Sequence, residues 1–198
     1  MTSICLVRHG ETDWNAEGRL QGREDVPLNE RGRAQARQIA RDVATHPWSL
    51  LASSPLLRAW ETATIIGDEL GMPTPLAVPP EVVERDYGEA SGLSKAQAAR
   101  RFPGGAPHAE TRAQVWSRSR SVLDRLADTA GGGSVLLVGH GSVIKTLLLG
   151  LSDGQVPTTD LRNGCLSLIW RTSTRDWRVS YHNETTHQPP LHHGEGAS

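Results

Sequence analysis

Two short motifs contain side chains that could transfer a phosphoryl group. The first, Arg8-His9-Gly10, places a guanidinium beside an imidazole. A guanidinium presents planar, permanently charged donors that suit phosphate oxygens, and a neutral imidazole can attack phosphorus as a nucleophile. The second motif supplies another imidazole, that of His140, between two glycines. The chemistry that these residue types indicate is nucleophilic phosphoryl transfer.

Three residues that follow His9 are suited to binding phosphoryl oxygens. The amides of Asn15 and Gln21 can donate hydrogen bonds, and Gly22 lets a main-chain N–H come close to a bound group. Each of them alone is as well explained as an ordinary loop residue, and a lone histidine after a strand is more often structural. The functional hypothesis therefore depends on whether the fold brings these residues together.

The elements predicted before the two histidines would bring them together. Residues 4–7 and 134–138 are apolar, β-prone runs that end just before the two motifs. Ligands of parallel sheets bind beyond the carboxyl ends of the strands. We therefore expect His9 and His140 at one edge of a sheet, although 140 − 9 = 131 positions separate them.

Alternating strands and helices predict the rest of the fold. Apolar spacing and terminal Pro or Gly residues predict helices over 29–44, 55–70, 94–102 and 110–129, and a further helix that ends at 149. Apolar runs predict strands over 50–53, 165–171 and 177–182. This order predicts a three-layer α/β/α sandwich with a largely parallel central sheet. The segment 94–129 is expected to cover the site.

Length and composition favour one globular domain over residues 1–187, with a flexible tail over 188–198. The 21 Lys and Arg against 22 Asp and Glu give a formal net charge of −1, which argues against a nucleic-acid partner. Cys5 and Cys165 form no disulfide framework, and the apolar run at the N-terminus is too short for a signal peptide or a membrane span. These features predict a cytoplasmic protein without a membrane partner.

Six stretches together resemble one known family. The sequence is similar to the phosphoglycerate-mutase-like branch of the histidine phosphatase superfamily, and in particular to its broad-specificity phosphatases. The stretches that carry the resemblance are LVRHGETDWN (6–15), GRLQG (18–22), PLNERG (27–32), SSPLLRAWETA (53–63), ERDYG (84–88) and VGHG (138–141). Their order and spacing agree over about 4–187, which makes the resemblance specific and implies a phosphoglycerate-mutase-like fold.

The resemblance implies a covalent mechanism in which His9 takes the phosphoryl group and water or an acceptor then removes it. Arg8, Arg58 and His140 would flank the transferring group. Their positive charge would supply the stabilisation that Mg²⁺ gives in other phosphoryl-transfer enzymes. The resemblance therefore implies a reaction that needs no metal and no cofactor.

The resemblance also implies that Glu84 is the general acid that protonates the leaving oxygen and afterwards the base that activates water. Glu81 and Glu89 are the nearby alternatives. The family has a glycine four residues after this glutamate, and Glu84 with Gly88 fits that spacing, whereas the other two glutamates do not.

Two enzyme activities remain open. Arg85, Tyr87 and Lys95 resemble the substrate-binding loop of the mutases and could bind a carboxylate or a second phosphate. Against a mutase, only 139 − 84 = 55 positions separate Glu84 from Gly139, which is shorter than the usual mutase insert. We expect a phosphatase that hydrolyses a small phosphorylated metabolite, with phosphoglycerate mutase as the alternative.

A metal-dependent hydrolase is a more remote alternative. It would use His9, His140, His182 or His187 with a carboxylate, but HxH and HExxH spacings are absent. The pair His192-His193 lies in the predicted tail. Exposed sheet edges could also support a homodimer.

Overall fold

Six strands form the central sheet. The computed structural model describes residues 1–77, 80–155 and 161–184. Within these ranges the sheet order is β3-β2-β4-β1-β5-β6, where the strands are β1 (Thr2–Arg8), β2 (Leu50–Ser53), β3 (Leu76–Ala77), β4 (Ser134–Gly139), β5 (Leu166–Arg171) and β6 (Trp177–Glu184). The pairs among β3, β2, β4 and β1 are parallel, while β5 pairs antiparallel with both β1 and β6. The predicted largely parallel sheet is confirmed, and the two C-terminal strands form its antiparallel side.

The register between β1 and β4 places the two histidine motifs side by side. Arg8 at the end of β1 pairs with Gly139 at the end of β4. The N–H of His9 donates to the carbonyl of Gly139 across 3.0 Å. Because parallel neighbours end at the same edge of the sheet, His9 and His140 leave it next to each other, as predicted.

Six α-helices surround the sheet in the described part of the chain. They are α1 (Asp13–Ala16), α2 (Glu30–Val43), α3 (Leu57–Leu70), α4 (Lys95–Arg101), α5 (Arg112–Thr129) and α6 (Gly141–Leu151). Short 3₁₀ helices lie at Pro80–Val82 and Gly88–Ala90. Helices α2 and α3 pack on one face of the sheet, and α5 and α6 pack on the other. This arrangement is the predicted three-layer sandwich.

The core consists of two apolar clusters, one on each face of the sheet. Ile4 and Leu6 of β1 are buried against α5 and α6. Cys5 and Val7 of the same strand are buried against α2 and α3. Successive side chains of a strand point to opposite faces, and both faces are covered by helices, so the run of residues 4–7 in β1 is apolar on both faces.

Several element boundaries differ from those predicted. Helix α3 begins at Leu57 rather than at residue 55, because Leu56 is extended with φ −65° and ψ 135°. Helix α5 begins at Arg112 rather than at residue 110, because Thr111 caps it with its side chain. The four-residue helix α1, the strand β3 and the 3₁₀ helices were not predicted, since such short elements carry little periodicity.

The prediction that the segment 94–129 covers the site is right only in part. Ser94, Lys95 and Ala96 line the site cavity. Helix α5 instead packs against the sheet through Val122, Leu123 and other buried residues. An 18-residue helix with a continuous apolar stripe is stabilised by the core, so it forms a layer of the sandwich and not a cover.

The predicted domain end at 187 and the predicted tail over 188–198 lie outside the described residues. In the described ranges, no helix is both long and apolar enough to cross a membrane.

Candidate active site

His9 is held with one ring nitrogen ready to act as a nucleophile. The side chain is buried, and its Nδ1 lies 2.7 Å from the carbonyl oxygen of Gly10. A carbonyl can only accept, so Nδ1 carries the proton and Nε2 keeps its lone pair. The Nε of Arg58 donates to this Nε2 across 3.2 Å. Burial, followed by the charges of Arg58 and Arg8, lowers the pKa of His9 well below its usual value, so the ring is neutral near neutral pH.

Arg58 is completely buried in the first turn of α3 and is held by main-chain carbonyls. Its two terminal nitrogens donate to the carbonyl of Glu24 at 2.7 Å and to that of Gly22 at 2.8 Å. Burial lowers the pKa of Arg58 to about 10, which leaves it charged at neutral pH. This fixed cation lies 3.2 Å from Nε2 of His9, where it can stabilise the negative charge of a bound anion.

Arg8 and His140 each have a buried polar atom without a partner among the described residues. Arg8 donates through one terminal nitrogen to the carbonyl of Leu161, while its Nε has no partner. The Nε2 of His140 lies 2.8 Å from the hydroxyl of Ser54, and its Nδ1 has no partner. The rings of His9 and His140 have centroids 5.3 Å apart. Burial, and then the charge of Arg58, lowers the pKa of His140 well below its usual value.

Unpartnered buried polar atoms are costly and rare in folded proteins. Two of them beside a nucleophilic histidine are therefore evidence for a ligand that would satisfy them. An anionic, oxygen-rich group fits this environment, since Arg58 and Arg8 carry positive charge there.

Glu84 lies where the loop after β3 meets the N-terminus of α6. One carboxylate oxygen accepts from the main-chain N–H of Arg85 at 2.7 Å, and the other accepts from that of Ser142 at 3.2 Å. The hydroxyls of Tyr87 and Ser142 lie 2.6 Å apart. Burial, together with the charge of Glu84, raises the pKa of Tyr87 to about 12. The carboxylate is thus held by two main-chain N–H groups, and Glu84 lines the same cavity as His9.

The cavity has a volume of about 530 Å³. It is lined by nine of the eleven residues predicted for the site, namely Arg8, His9, Asn15, Gln21, Gly22, Arg58, Glu84, Tyr87 and Lys95. The other two are His140, which is fully buried next to His9, and Arg85.

The three residues predicted to bind phosphoryl oxygens all line the cavity. The Oδ1 of Asn15 accepts from the amide of Asn163 at 3.1 Å and from the N–H of Thr12 at 3.2 Å, so its amide nitrogen is the group available to donate. Gln21 is buried, and its Oε1 has no partner in the part of the chain that is described. Gly22 adopts φ +53°, and a Cβ there would lie 3.0 Å from the hydroxyl of Ser91.

Arg85 is not placed as the sequence led us to expect. Its Nε donates to the carbonyl of Glu110 across 2.7 Å, and its guanidinium lies 5.4 Å from the centre of the Tyr87 ring. The side chain does not line the cavity. The carbonyl of Glu110 and the ring face of Tyr87 hold the guanidinium on the outer side of the loop, so the structure does not support direct contact between Arg85 and substrate.

Several residues of the site were missed by the sequence analysis. Asn163 donates to the carbonyls of His9 at 3.1 Å and of Gly10 at 3.2 Å, and thereby ties down the group that orients the His9 ring. Arg19 and Lys145 add positive charge to the cavity wall. No local pattern distinguishes these three from surface residues. Ser142 could have been found, since helix N-termini are common anion sites.

Comparisons with known proteins identify the family of this chain. Residues 4–185 match the profile of the histidine phosphatase superfamily (branch 1). The chain belongs to the histidine phosphatase superfamily.

Three relatives illustrate what this histidine phosphatase resembles. It is 37% identical to the uncharacterized phosphatase PhoE of Bacillus subtilis (strain 168), covering 94% of this chain and 97% of that protein. It is 31% identical to a 2,3-bisphosphoglycerate-dependent phosphoglycerate mutase of Methylobacterium radiotolerans, covering 85% and 88%. The solved mycobacterial glucosyl-3-phosphoglycerate phosphatase superposes with a TM-score of 0.80 at 29% identity, covering 91% of this chain and 98% of that one. The protein is therefore an enzyme of this superfamily, a phosphatase or a mutase.

In the described ranges of this histidine phosphatase, no group of three or more His, Cys, Asp or Glu side chains could hold a metal ion. The side chain of His182, and all of His187, His192 and His193, lie outside what the structure describes.

Proposed function

We propose that the protein hydrolyses small phosphomonoesters without a metal ion, through a phosphohistidine on Nε2 of His9. The observation that carries the proposal is the arrangement of this nitrogen. Its ring partner Nδ1 is held 2.7 Å from the Gly10 carbonyl, and two arginines, Arg8 and Arg58, supply positive charge beside it. Those charges can stabilise the oxygens of the transferring group, which is the task of Mg²⁺ in many other phosphoryl-transfer enzymes.

The proposed reaction has two steps. In the first, Nε2 of His9 forms a bond to phosphorus while the bond to the leaving oxygen breaks, and Glu84 gives that oxygen its proton. In the second, the Glu84 carboxylate takes a proton from water, the water oxygen bonds to phosphorus, and the phosphorus–nitrogen bond breaks. Phosphate leaves, and His9 and Glu84 return to their starting protonation states.

The charge of the cavity supports an acidic phosphomonoester as the substrate. Among the lining residues are five cationic ones, Arg8, Arg19, Arg58, Lys95 and Lys145, against two carboxylates, Glu17 and Glu84. The whole chain carries a net charge of −1, so this positive potential is local to the cavity. A substrate with a carboxylate next to its phosphate would use more of it than a neutral ester would.

Phosphoglycerate mutase is the second candidate. The cationic cavity wall favours it, because a mutase must bind a doubly phosphorylated intermediate, and one of the relatives above carries that name. The short segment between Glu84 and β4 supports the phosphatase, since a mutase must keep water away from its phosphohistidine and needs more covering structure.

Cys5 and Cys165 are both buried, and neither forms a disulfide. Cysteines outside disulfides are usual in a reducing compartment, which supports the proposal of a cytoplasmic location.

The test is an assay of chelator-treated enzyme with phosphoserine, 3-phosphoglycerate and an aryl phosphate whose only charged group is its phosphate. Phosphate release is followed together with conversion of 3- to 2-phosphoglycerate. We expect metal-independent phosphate release, an acid-labile phosphoryl group on the quenched enzyme, and loss of both in His9→Ala. The matched control is His46→Ala, a partly buried histidine bonded to Ser134 at the opposite end of β4, which should keep its activity.

Other outcomes would contradict the proposal. Activity that survives in His9→Ala excludes the phosphohistidine. Loss of activity on chelation, with recovery on adding a divalent metal, supports the metal-dependent hydrolase. Isomerisation that is much faster than phosphate release identifies a mutase.

A further inference from the structure

Arg118 of α5 binds the main chain of the loop that carries Glu84. One terminal nitrogen donates to the carbonyl of Glu81 at 2.7 Å and to that of Val83 at 2.8 Å. The other donates to the carbonyl of Glu84 itself at 3.2 Å. One half-buried guanidinium thus holds three carbonyls within four residues. The side chain does not line the cavity, so it cannot serve as a direct substrate ligand there.

The carboxylate of Glu110 completes this arrangement. Arg118 donates to its two oxygens through two nitrogens, both at 2.9 Å, which is the bidentate geometry of a strong ion pair. One of the same oxygens accepts from the N–H of Asp86 at 2.8 Å. The main chain of Glu110 also bonds on both sides: its N–H donates to the carbonyl of Asp86 at 2.9 Å, and its carbonyl accepts from Arg85 at 2.7 Å.

The main chain of residues 81–86 therefore forms hydrogen bonds with both members of one ion pair, Arg118 and Glu110. Arg118 holds the segment before and at Glu84, and Glu110 holds the segment after it. Other contacts also hold this segment: Val82 and Val83 are buried, and the Glu84 carboxylate accepts from the N–H of Ser142. The two side chains of the pair are 17% and 15% exposed, so solvent screens them less than a surface ion pair. Although burial opposes it, hydrogen bonding to Arg118 and Asp86 lowers the pKa of Glu110 on balance.

We propose that Arg118 and Glu110 are positioning residues that hold the Glu84 carboxylate at the distance and angle from which it protonates the leaving oxygen. This inference rests on the proposed function, in which Glu84 is the general acid. Proton transfer in the transition state requires hydrogen-bond geometry between acid and leaving oxygen. Loosening the loop by about 1 Å is enough to weaken such a step strongly.

A positioning role differs from a structural role in how it depends on the leaving group. A leaving group of low pKa, such as p-nitrophenolate, departs without a proton, whereas an alkoxide needs one. Variants that displace Glu84 should therefore lose activity toward alkyl phosphates and keep it toward p-nitrophenyl phosphate. The quantity to compare is kcat/KM, because it reports the transfer to His9 and not the later hydrolysis.

The experiment measures kcat/KM of Arg118→Lys and Glu110→Gln for p-nitrophenyl phosphate and for an alkyl phosphate. Since general acid catalysis contributes about 10²–10⁴-fold, we expect a loss of roughly 10–100-fold for the alkyl ester and less than about 3-fold for the aryl ester. Glu84→Gln is the reference variant, and its loss of kcat/KM should likewise be greater for the alkyl ester than for the aryl ester, with a larger difference between the two. The matched control is Arg120→Lys on the same helix, whose ion pair with Asp124 lies away from the loop and whose kcat/KM should not change for either ester.

The outcomes separate this inference from the function on which it rests. If Glu84→Gln loses kcat/KM equally for both esters, Glu84 is not the general acid, and the proposed function itself fails on this point. Suppose that Glu84→Gln loses kcat/KM mainly for the alkyl ester. If Arg118→Lys and Glu110→Gln then lose kcat/KM equally for both esters, or lose it for neither, the pair has no positioning role. Should Arg118→Lys fail to fold, as judged by circular dichroism, the milder Glu110→Gln decides the question in the same assay.

Discussion

Replacing Arg58 with methionine should abolish most of the activity while leaving the fold intact. The side chain is fully buried, and it donates to His9 and to the carbonyls of Gly22 and Glu24. Methionine is unbranched and fills a similar space, so Arg58→Met removes the charge and its hydrogen bonds without opening a large cavity.

Two opposing effects determine the stability of this variant. The carbonyls of Gly22 and Glu24 lose their donor, which costs about 1–3 kcal/mol each, or about 2–6 kcal/mol together. Burial has lowered the pKa of Arg58 from 12.5 to about 10. At about 1.4 kcal/mol per pKa unit, burying the charge costs about 3 kcal/mol, and the variant no longer carries this cost. We therefore expect the free energy of unfolding to fall by at most about 3 kcal/mol.

For the rate of phosphate release, no second effect of Arg58→Met opposes the loss of the charge. A single donor at developing negative charge contributes about 10²–10³-fold to kcat, so Arg58→Met should lose at least about 100-fold in phosphate release. Urea unfolding and initial rates measure the two quantities. The matched control, Arg33→Met, removes a partly exposed arginine bonded to Glu61 of the same helix α3 and should change the free energy of unfolding by less than about 1 kcal/mol with full activity. A folded Arg58→Met that keeps its rate within about 10-fold of the parent would refute this account of the site.

Three further predictions follow from burial, close contacts and charge. Burial lowers the pKa of His9 and His140 in the folded state, so the unfolded chain binds more protons below about pH 6.5. The free energy of unfolding should therefore fall by about 1.4 kcal/mol per pH unit and per histidine as the pH drops below that value. Urea titrations at several pH values measure this dependence on pH, and its slope should be halved in His140→Gln. Gly10→Ala should lower the free energy of unfolding by about 1–3 kcal/mol or more, because the added Cβ would overlap a carbonyl in the first turn of α2. In the control Gly104→Ala, the Cβ meets no atom within 4 Å, so the thermal unfolding temperature should not change. Lys145→Ala should raise KM about 5–10-fold for a substrate with a carboxylate beside its phosphate, and raise KM less for an aryl phosphate whose only charged group is its phosphate, as steady-state kinetics would show.

The sequence predicted those parts of the molecule that depend on local pattern. The apolar runs of β1 and β4 mark strands that are buried on both faces, so they are recognisable without knowledge of their partners. Asn29 caps α2 with its side chain, accepting from Gly32 at 2.9 Å, and such caps also act within a few residues. The motifs around His9 and His140 could be placed at one edge because parallel strands end together.

Where the side chains point was decided by tertiary contacts. Arg85 and Arg118 illustrate the difference. By sequence, Arg85 stands next to Glu84 and was expected to contact substrate, but the Glu110 carbonyl holds its side chain outside the cavity. Arg118 stands 118 − 84 = 34 positions away, yet its guanidinium holds the main chain at Glu84.

The sequence by itself thus predicted five of the six strands, the layers of the fold and the neighbouring positions of His9 and His140, because periodicity, capping and motif spacing are properties of short segments. The contacts of Asn163, Arg118 and Lys145 with the site were decided only by the tertiary structure. The physical reason is that a hydrogen bond or ion pair requires a particular distance and direction between two groups, and for groups far apart in the chain these depend on how every intervening element packs.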